Sequence, residues 1–255
     1  MHIPRIFLDT DLRTALVNEL IISLDERSRR HIAQVLRLKP GADVILFNNT
    51  GGEYQATCDQ VNKHQVTVRV TGFIDRSAES PQNIILLQGI SRGERMDYTL
   101  QKATELGITS ITPVTTERCG VQLDEVRSQK RWLHWRGVII SACEQCGRNK
   151  LPTLETITPF AQGLEQKTDA VDIRLVLNPE AKLGLKTQLT NSLSTAGAST
   201  CVTVLIGPEG GLSEQEIQLA ERSGFLSVTL GPRILRTETA GLAAIAAIQT
   251  ICGDY

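Results

Sequence analysis

The chain has 255 residues, of which 41% are hydrophobic and 22% are charged, with 20 glycines and 9 prolines. This composition is ordinary for a soluble globular protein of about one or two domains, and it excludes a disordered or fibrous chain. The net charge of -1 argues against a protein that coats nucleic acid along its whole surface, so any contact with nucleic acid must be local.

Membrane insertion and secretion are not indicated. No apolar run approaches the roughly 20 residues that a membrane span requires, and the N-terminal MHIPRIFLDT lacks the apolar core of a signal peptide. The six cysteines are scattered along a chain large enough to fold without disulfides, which is typical of reduced thiols. We therefore expect a cytoplasmic protein without a membrane partner.

Cys143 and Cys146 form a single C-x-x-C inside a predicted helix. There is no second pair and no neighbouring histidine, so helix packing explains them better than zinc or redox chemistry does. We expect no metal.

The first 74 residues predict a small β-rich domain. DVILFNNTGGEYQATCDQV places an Asn/Gly-rich turn between two strand-like runs, and QVTVRVTGFI alternates strictly between apolar and polar residues, as in a half-buried antiparallel barrel. ERSRRHIAQVLRLKPG predicts one amphipathic helix that stops at Pro40-Gly41. The polar, proline-containing segment 75–83 then predicts an interdomain linker.

Residues 84–255 predict an α/β domain. The apolar runs IILLQGI, ITSITPV, IRLVLNP, VTVLIG and LSVTLG alternate with helical stretches near 94–106, 124–147, 183–194, 213–224 and 238–251. Strands that alternate with helices indicate a parallel sheet covered on both faces. Ser213 with Glu216 predicts a capping box, and Thr237 with Glu238 could cap the last helix.

Two Gly-Pro turns, GPEGG at 207–211 and GPRILR at 231–236, follow two successive predicted strands. Ligands of open parallel sheets bind at the carboxyl ends of strands, and such turns are rigid and expose main-chain groups. The chain has no G-x-G-x-x-G and no G-x-x-x-x-G-K-[ST], so a nicotinamide or flavin site is poorly supported. Glu209 would repel a phosphate, which favours a neutral or cationic ligand.

The last predicted helix is apolar on almost every side. From Ala240 to Ile248 it contains only alanine, glycine, leucine and isoleucine, and Gln249 is the first polar residue. Such a helix must be buried all round. Two alternatives account for it: an inner helix of the domain, or a helix buried partly against a second subunit.

RSRRHIAQVLRLK carries five basic residues without an intervening acid: Arg27, Arg29, Arg30, Arg37 and Lys39. Clustered guanidinium and ammonium groups are typical of phosphate contact, whereas a solvated helix face is the alternative that needs no partner.

Several separated segments occur together in a fixed order: RIF with HIAQVLRLKPG, GERMDYTLQKATELGI, EQCGR, LIGPEGG and LGPRILRTETA. They resemble the ribosomal RNA small subunit methyltransferase E family of the SPOUT superfamily, over almost the whole chain. The resemblance implies a PUA-like β-barrel RNA-binding domain (1–74), an α/β domain with a deep trefoil knot (84–255), and a homodimer. It also implies methylation of N3 of a uridine in 16S rRNA, within the small ribosomal subunit. The alternative is a non-catalytic ribosome-assembly factor with the same fold.

The resemblance further implies that S-adenosylmethionine is held by main-chain groups of the loops after successive strands. The residues that it assigns to the cofactor are Leu177, Leu205, Ile206, Gly207, Pro208, Gly210, Gly211, Leu230, Gly231, Ile234, Leu235, Thr237 and Ala240.

Arg236 and Glu209 are the candidate catalytic residues. A guanidinium can donate to carbonyl oxygens in a fixed fork, so Arg236 could stabilise charge on the base, although a surface or dimer salt bridge is the alternative. Glu209 could accept a proton or orient the base, or it could brace the neighbouring loop. Arg5, Arg92 and Arg148 join the RNA-binding candidates through the family segments, although Arg148 could instead pair with Glu144.

Overall fold

A computed structural model describes residues 3–120, 124–166, 171–195 and 200–255. They divide into two compact units: the first lies within residues 1–79 and 143–151, and the second within 80–142 and 152–255. The boundary at Glu79 falls inside the segment that the sequence indicates as a linker. Segment 143–151, by contrast, belongs to the first unit although it follows much of the second in the chain, and no local pattern could have predicted this.

The first unit contains a five-stranded sheet and two short helices. Its elements are β1 (Arg5–Phe7), α1 (Leu12–Val17), β2 (Ile21–Ser23), α2 (Glu26–Arg30), β3 (Asp43–Phe47), β4 (Glu53–Val61) and β5 (Val66–Ile74). The strand order is β1-β3-β4-β5-β2. The predicted antiparallel pairing is confirmed from β3 through β5 to β2, whereas β1 runs parallel to β3.

The helices of the first unit differ from the prediction. The sequence predicts one helix up to Pro40, but α2 ends at Arg30 and continues as a π-helical turn, His31–Val35, before the chain reverses at Arg37 with a φ of +53°. Helix α1 was not predicted. The Asp11 carboxylate starts it by accepting hydrogen bonds from the main-chain N–H groups of Arg13 and Thr14.

The second unit confirms the predicted α/β alternation. Its elements are β6 (Asn83–Gly89), α3 (Glu94–Glu105), β7 (Ser110–Thr115), α4 (Glu125–Cys146, whose last turn belongs to the first unit), β8 (Thr153–Leu154), β9 (Thr158–Pro159), α5 (Phe160–Leu164), β10 (Val171–Leu177), α6 (Leu185–Thr195), β11 (Thr200–Ile206), α7 (Glu214–Arg222), β12 (Leu226–Val228) and α8 (Thr237–Cys252). Only β8, β9 and α5, each five residues or shorter, were not predicted.

All strand pairs of the second unit are parallel, in the order β12-β10-β11-β6-β7-β8, with β9 also on β7. The carboxyl ends of all these strands therefore lie at one edge of the sheet. The strands that carry the two Gly-Pro turns, β11 and β12, are not neighbours, because β10 lies between them. Two strand spacings separate the turns by about 10 Å.

The helices of the second unit cover both faces of the sheet. Helices α3, α6 and α8 pack together, while α5 packs against α7. Along β11 the side chains alternate: Leu205 joins the core beside α7, and Ile206 faces Gly241 of α8. The predicted capping box is confirmed at the start of α7 between Ser213 and Glu216. None of the described helices combines the length and the apolar character needed to cross a membrane.

Candidate functional site

The GPEGG turn rests directly on the end of β6. A Cβ atom added to Gly89 would lie 2.6 Å from both the nitrogen and Cδ of Pro208, so only a hydrogen at this position lets the turn pack so closely. The turn closes on itself through a hydrogen bond from the Gly211 N–H to the Pro208 carbonyl, and Gly211 has a φ of +68°. Pro208 is buried, whereas Glu209 and Gly210 are exposed.

Glu209 joins this turn to the loop after β6. Its Oε1 accepts hydrogen bonds from the Arg92 main-chain N–H at 2.9 Å and from the Arg95 guanidinium at 3.0 Å. Partial burial tends to raise the pKa of Glu209, but the hydrogen bonds and the charge of Arg95 outweigh it and leave the pKa below its ordinary value. The carboxylate is therefore ionised and already engaged. This fits a residue that braces the neighbouring loop better than one that accepts a proton from the substrate.

The loops after β10 and β12 are tied together. The Thr229 N–H donates to the Leu183 carbonyl, and the Thr229 carbonyl accepts from the Leu185 N–H. The Asn178 N–H also donates to the Val228 carbonyl at 2.9 Å. The carboxyl end of β10, where Leu177 lies, is thereby connected to the start of the second Gly-Pro turn.

The second turn exposes groups that are usually covered. Ile234 is 86% exposed, although it is a large apolar residue, and Gly231 has a φ of +108°. Among the residues that the structure describes, the main-chain N–H groups of Arg233, Ile234 and Leu235 donate no hydrogen bond. Free main-chain donors beside an exposed apolar side chain are what a bound aromatic ring would cover.

Thr237 links the two turns. It is the first residue of α8 and not its cap, because Arg236 occupies the cap position and makes no capping bond with its side chain. The sequence-based suggestion that Thr237 caps the helix is therefore wrong. Its hydroxyl donates to the Gly207 carbonyl at 2.6 Å and accepts from Gln88 Nε2 at 3.1 Å.

Arg236 is exposed next to this link, and its guanidinium has no hydrogen-bond or ion-pair partner within the described ranges. The salt bridge that would explain it otherwise is therefore not formed with any described residue of this chain. A guanidinium at the fixed start of a helix, beside the carboxyl edge of a sheet, is available to an incoming ligand.

Two arginines that the sequence analysis did not single out also border the GPEGG turn. Arg95 pairs with Glu209, and Arg118 donates to the main-chain carbonyls of Gly210 and Leu212 at 3.2 and 3.4 Å. Together with Arg92 and Arg236 they form an exposed basic rim around the turns. Arg95 lies within GERMDYT, which belongs to one of the segments that carry the family resemblance, so the sequence could have indicated it. Arg118, after β7, lies in none of those segments, and no sequence pattern indicated it.

The structure places the remaining cofactor candidates at the same edge. Leu205 and Ile206 are buried at the end of β11, and Leu177 ends β10. Leu230, Leu235 and Ala240 are half-buried along the second turn and the first turn of α8. The candidates from three separate loops are thus brought to one edge of one sheet.

The basic candidates of the first unit separate into two groups, and Arg5 and Arg148 form the buried one. The Arg5 guanidinium pairs with Glu53 and bonds to Asn149, and the Arg148 guanidinium pairs with Glu79 at 2.7 Å. Guanidiniums that are buried and held by carboxylates are not available to phosphates. Both residues are therefore removed from the RNA-binding candidates.

Arg148 does not pair with Glu144, the other possibility raised by their spacing. Glu144 instead accepts two hydrogen bonds from Arg27, at 2.5 and 3.2 Å, and one from the Phe7 N–H at 3.0 Å. Arg27 therefore connects segment 143–151 to the N-terminal part of the first unit.

The rest of the basic segment is more accessible. Arg29 donates to the Lys63 carbonyl, and Arg30 pairs with Glu26 on the same helix. Arg37 and Lys39 are exposed and have no partner among the described residues. Arg92 is also exposed, on the loop after β6. These five residues remain candidates for contact with nucleic acid.

Helix α8 is buried on one face only. Gly241, Ala244, Ile245 and Ile248 are buried, whereas the alanines and Leu242 on the opposite face are half-exposed. The expectation of burial all round is therefore not met within one chain, which leaves the second-subunit alternative open.

Metal and thiol chemistry find no support in the described part of the chain. No group of three or more His, Cys, Asp or Glu side chains could hold a metal ion there. All six cysteines are reduced thiols, and burial raises the pKa of Cys143 far above its ordinary value. The burial of Cys143 is compatible with the packing role that the sequence indicated.

A pocket of about 270 Å³ lies elsewhere, on the face of the sheet near α5, lined by residues that include Ile85, Thr203 and Arg174. Arg174 is already engaged: it donates to the carbonyls of Ser223 and Leu164 and lies 4.2 Å from the centre of the Phe225 ring. We attribute no ligand to this pocket, since its polar groups hold the sheet to its neighbours.

Comparisons with known proteins show the family of the chain. Residues 78–249 match the model of the RNA methyltransferase domain family, and residues 24–71 match that of the RNA methyltransferase PUA domain. The chain is 36% identical to ribosomal RNA small subunit methyltransferase E of Buchnera aphidicola subsp. Schizaphis graminum, over 99% of this chain and 98% of that one.

Two solved structures are similar over the full length. One is a ribosomal RNA small subunit methyltransferase E from Neisseria gonorrhoeae bound to S-adenosyl methionine, with 40% identity, a TM-score of 0.88 and 99% of each chain covered. The other is a putative methyltransferase from Legionella pneumophila in complex with the same cofactor, with 36% identity, a TM-score of 0.88 and 100% of each chain covered.

Proposed function

Because the chain belongs to the ribosomal RNA small subunit methyltransferase E family, we propose that it transfers a methyl group from S-adenosylmethionine to N3 of a uridine in 16S rRNA. The observation that carries the proposal is the full-length similarity to the Neisseria gonorrhoeae enzyme, which is bound to that cofactor. The substrate is 16S rRNA, within the small ribosomal subunit, in the cytoplasm.

The residues at the carboxyl edge suit S-adenosylmethionine. The three unengaged N–H groups of Arg233, Ile234 and Leu235 can bind ring nitrogens, and the exposed Ile234 side chain can cover a ring face. The edge carries the Glu209 carboxylate but no lysine in either turn, which tolerates a sulfonium better than a phosphate. The cofactor itself supplies an electrophilic methyl group on positively charged sulfur.

Arg236 is proposed as the residue that stabilises the reacting base. When N3 of uracil gives up its proton to solvent, negative charge spreads to O2 and O4 of the ring. N3 then bonds to the methyl carbon as the bond from that carbon to sulfur breaks, and S-adenosylhomocysteine leaves. The exposed Arg236 guanidinium donates to one of these oxygens, and the stiff turns on either side hold the reacting groups in line. Glu209 is proposed as the brace that keeps the GPEGG turn in place.

The first unit is proposed as a PUA-like domain that grips the RNA backbone. Arg29, Arg30, Arg37 and Lys39 are the residues that we assign to this contact. Arg92 is proposed as a separate RNA contact on the second unit. Exposed cations of this kind give affinity that falls steeply with salt.

Two further properties of the family are proposed for this chain. A homodimer would cover the half-exposed alanine face of α8. A deep trefoil knot is proposed for the second unit because the chain belongs to this family.

The test is methyl transfer from labelled S-adenosylmethionine to isolated small subunits and to free 16S rRNA, followed by identification of the product nucleoside. We expect labelled N3-methyluridine. Titration calorimetry with the cofactor separates the enzyme from a non-catalytic assembly factor, because the latter has no need to bind it. Absence of binding at millimolar cofactor would overturn the proposal.

A further inference from the structure

A buried hydrogen-bond relay connects the central strand β6 to both Gly-Pro turns. Gln88 Nε2 donates to Thr237 Oγ1 at 3.1 Å, and Thr237 Oγ1 donates to the Gly207 carbonyl at 2.6 Å. Gln88 Nε2 also donates to the Gly89 carbonyl at 3.0 Å. Gln88 is completely buried and Thr237 is 7% exposed. Three elements that are distant in the chain are thus fixed by two side chains.

The direction of the relay follows from its donors and acceptors. A primary amide nitrogen has two hydrogens, which go to the carbonyl of Gly89 and to Thr237 Oγ1. The threonine hydroxyl has one hydrogen, so it can donate to Gly207 only if it accepts from Gln88. The opposite amide orientation would turn the hydroxyl toward Gln88 and leave the Gly207 carbonyl without a donor.

This orientation of the Gln88 amide leaves one of its atoms without a hydrogen bond, which core packing does not explain. Gln88 Oε1 is buried without a hydrogen-bond partner among the described residues, and it faces Gly241, where a Cβ atom would lie 3.6 Å away. An unpaired buried acceptor is destabilising, whereas an apolar residue of similar size can be neutral in such a place. The amide is therefore better explained by the bonds that its nitrogen makes.

We propose that Gln88 is a positioning residue for the cofactor site: through Thr237 it sets the spacing between the GPEGG turn and the turn that precedes α8. Gly207 begins the first turn, and Thr237 directly follows Arg236 at the end of the second. Loss of the relay lets the two turns move apart, and the main-chain groups that bind S-adenosylmethionine lose their common geometry. This inference rests on the proposed function.

The test compares Gln88→Leu with Gln249→Leu. Gln249 is a matched control, since it is also a buried glutamine, lies at the other end of α8 and makes two side-chain hydrogen bonds, to Leu106 and Ser80. We expect Gln88→Leu to weaken cofactor binding in calorimetry about tenfold, the loss that corresponds to about 1.4 kcal/mol. Gln249→Leu lowers the melting temperature but binds the cofactor within about twofold of wild type.

A double-mutant cycle tests the relay itself. Thr237→Val removes the hydroxyl, and Thr237→Ser restores it, so the valine variant should bind the cofactor weakly and the serine variant nearly normally. Because Gln88 acts through Thr237, adding Gln88→Leu to Thr237→Val should cost little more than the larger single effect. If Gln88→Leu does not fold, the valine and serine pair decides alone.

Affinity for 16S rRNA is the second measurement, since a relay that positions only the cofactor leaves RNA binding unchanged, whereas general misfolding weakens both. Wild-type cofactor affinity in Gln88→Leu, additive effects in the cycle, or a serine variant as weak as valine would overturn the inference. These outcomes differ from failure of the proposed function, in which the wild-type protein itself binds no S-adenosylmethionine.

Discussion

Pro208 packs against the backbone of Gly89 so closely that no side chain fits between them. The space that a Cβ atom of Gly89 would need is occupied by the Pro208 ring and by the carbonyl carbon of Gly207, 3.0 Å away. The position of the GPEGG turn therefore depends on a residue that precedes it by more than a hundred positions.

Gly89→Ala should consequently displace the GPEGG turn. We expect a loss of about 1–3 kcal/mol in the free energy of unfolding, typical of an overpacked site, and at least tenfold weaker cofactor binding. Calorimetry and thermal denaturation measure the two effects. Gly241→Ala is the control: its Cβ atom would make only ordinary contacts at 3.6 and 3.7 Å, so it should raise stability by about 0.5–1 kcal/mol and leave binding intact. Equal binding by both variants would refute the argument.

Glu209→Gln should leave methyl transfer largely intact if the residue is a brace. Glutamine still accepts from the Arg92 N–H and loses only a half-exposed ion pair, which is worth about 0–1 kcal/mol. Turnover should fall less than tenfold, against about 10²–10⁴ for a lost general base. Single-turnover rates on small subunits distinguish the two roles.

The acid stability of the wild-type protein gives an independent measurement on Glu209. Because its pKa is lowered on folding, its contribution is complete above the ordinary value of 4.5 and is lost as the pH falls through the lower folded value. Between neutral pH and 4.5, wild type should therefore keep a constant advantage over Glu209→Gln that shrinks only at more acidic pH.

Arg236→Ala should separate binding from chemistry. We expect normal cofactor affinity, because only the side chain is removed, and turnover reduced about 100-fold or more, because a preorganised donor to the developing oxyanion is lost. Arg222→Ala, an exposed arginine in the last turn of α7, is the control and should turn over normally. Near-normal turnover by Arg236→Ala would assign the role to another residue.

The exposed cations of the first unit should contribute to the salt dependence of RNA binding. The double variant Arg37→Ala with Lys39→Ala should weaken binding, and it should reduce the slope of log K against log salt by about 0.7–0.9 for each lost phosphate contact. Arg13→Ala, an exposed cation on α1, is the matched control. An unchanged slope in the double variant would return these residues to the role of a solvated surface.

Arg5→Met should lower the stability of the protein without changing the salt dependence of RNA binding. Among the described residues it leaves the buried Glu53 carboxylate with the half-exposed Arg76 guanidinium, 3.4 Å away, so we expect a loss of up to about 3 kcal/mol in the free energy of unfolding. The folded fraction should bind RNA with a wild-type salt slope. A changed slope in a stable Arg5→Met protein would restore Arg5 to the RNA surface.

The sequence predicted what depends on local pattern. The period of the apolar residues predicted every long strand and helix of the second unit, and Ser213 with Glu216 predicted the start of α7. The Gly-Pro turns were expected at the carboxyl ends of parallel strands, and both lie there. In each case the signal lies within a few residues of the feature.

What the sequence did not predict depends on contacts between distant residues. The local sequence does not distinguish the buried Arg5 and Arg148 from the exposed Arg37. The structure does, because it pairs Arg5 with Glu53 and Arg148 with Glu79. The roles of Gly89 and Gln88 appear only when β6 is placed beside β11. The sequence suggests Thr237 as a helix cap because threonine is often found at that position. In the structure its hydroxyl donates to the Gly207 carbonyl instead.

Helix α4 begins in the second unit, yet its last turn and the residues up to Leu151 complete the first. During synthesis the first unit therefore cannot acquire its buried Arg148 and Asn149 until more than half of the chain has left the ribosome. Truncation after Glu79 would produce a fragment in which Arg5 lacks Asn149 and Glu79 lacks three of its donors. The nascent N-terminal part is thus an incomplete folding unit until segment 143–151 has been synthesised.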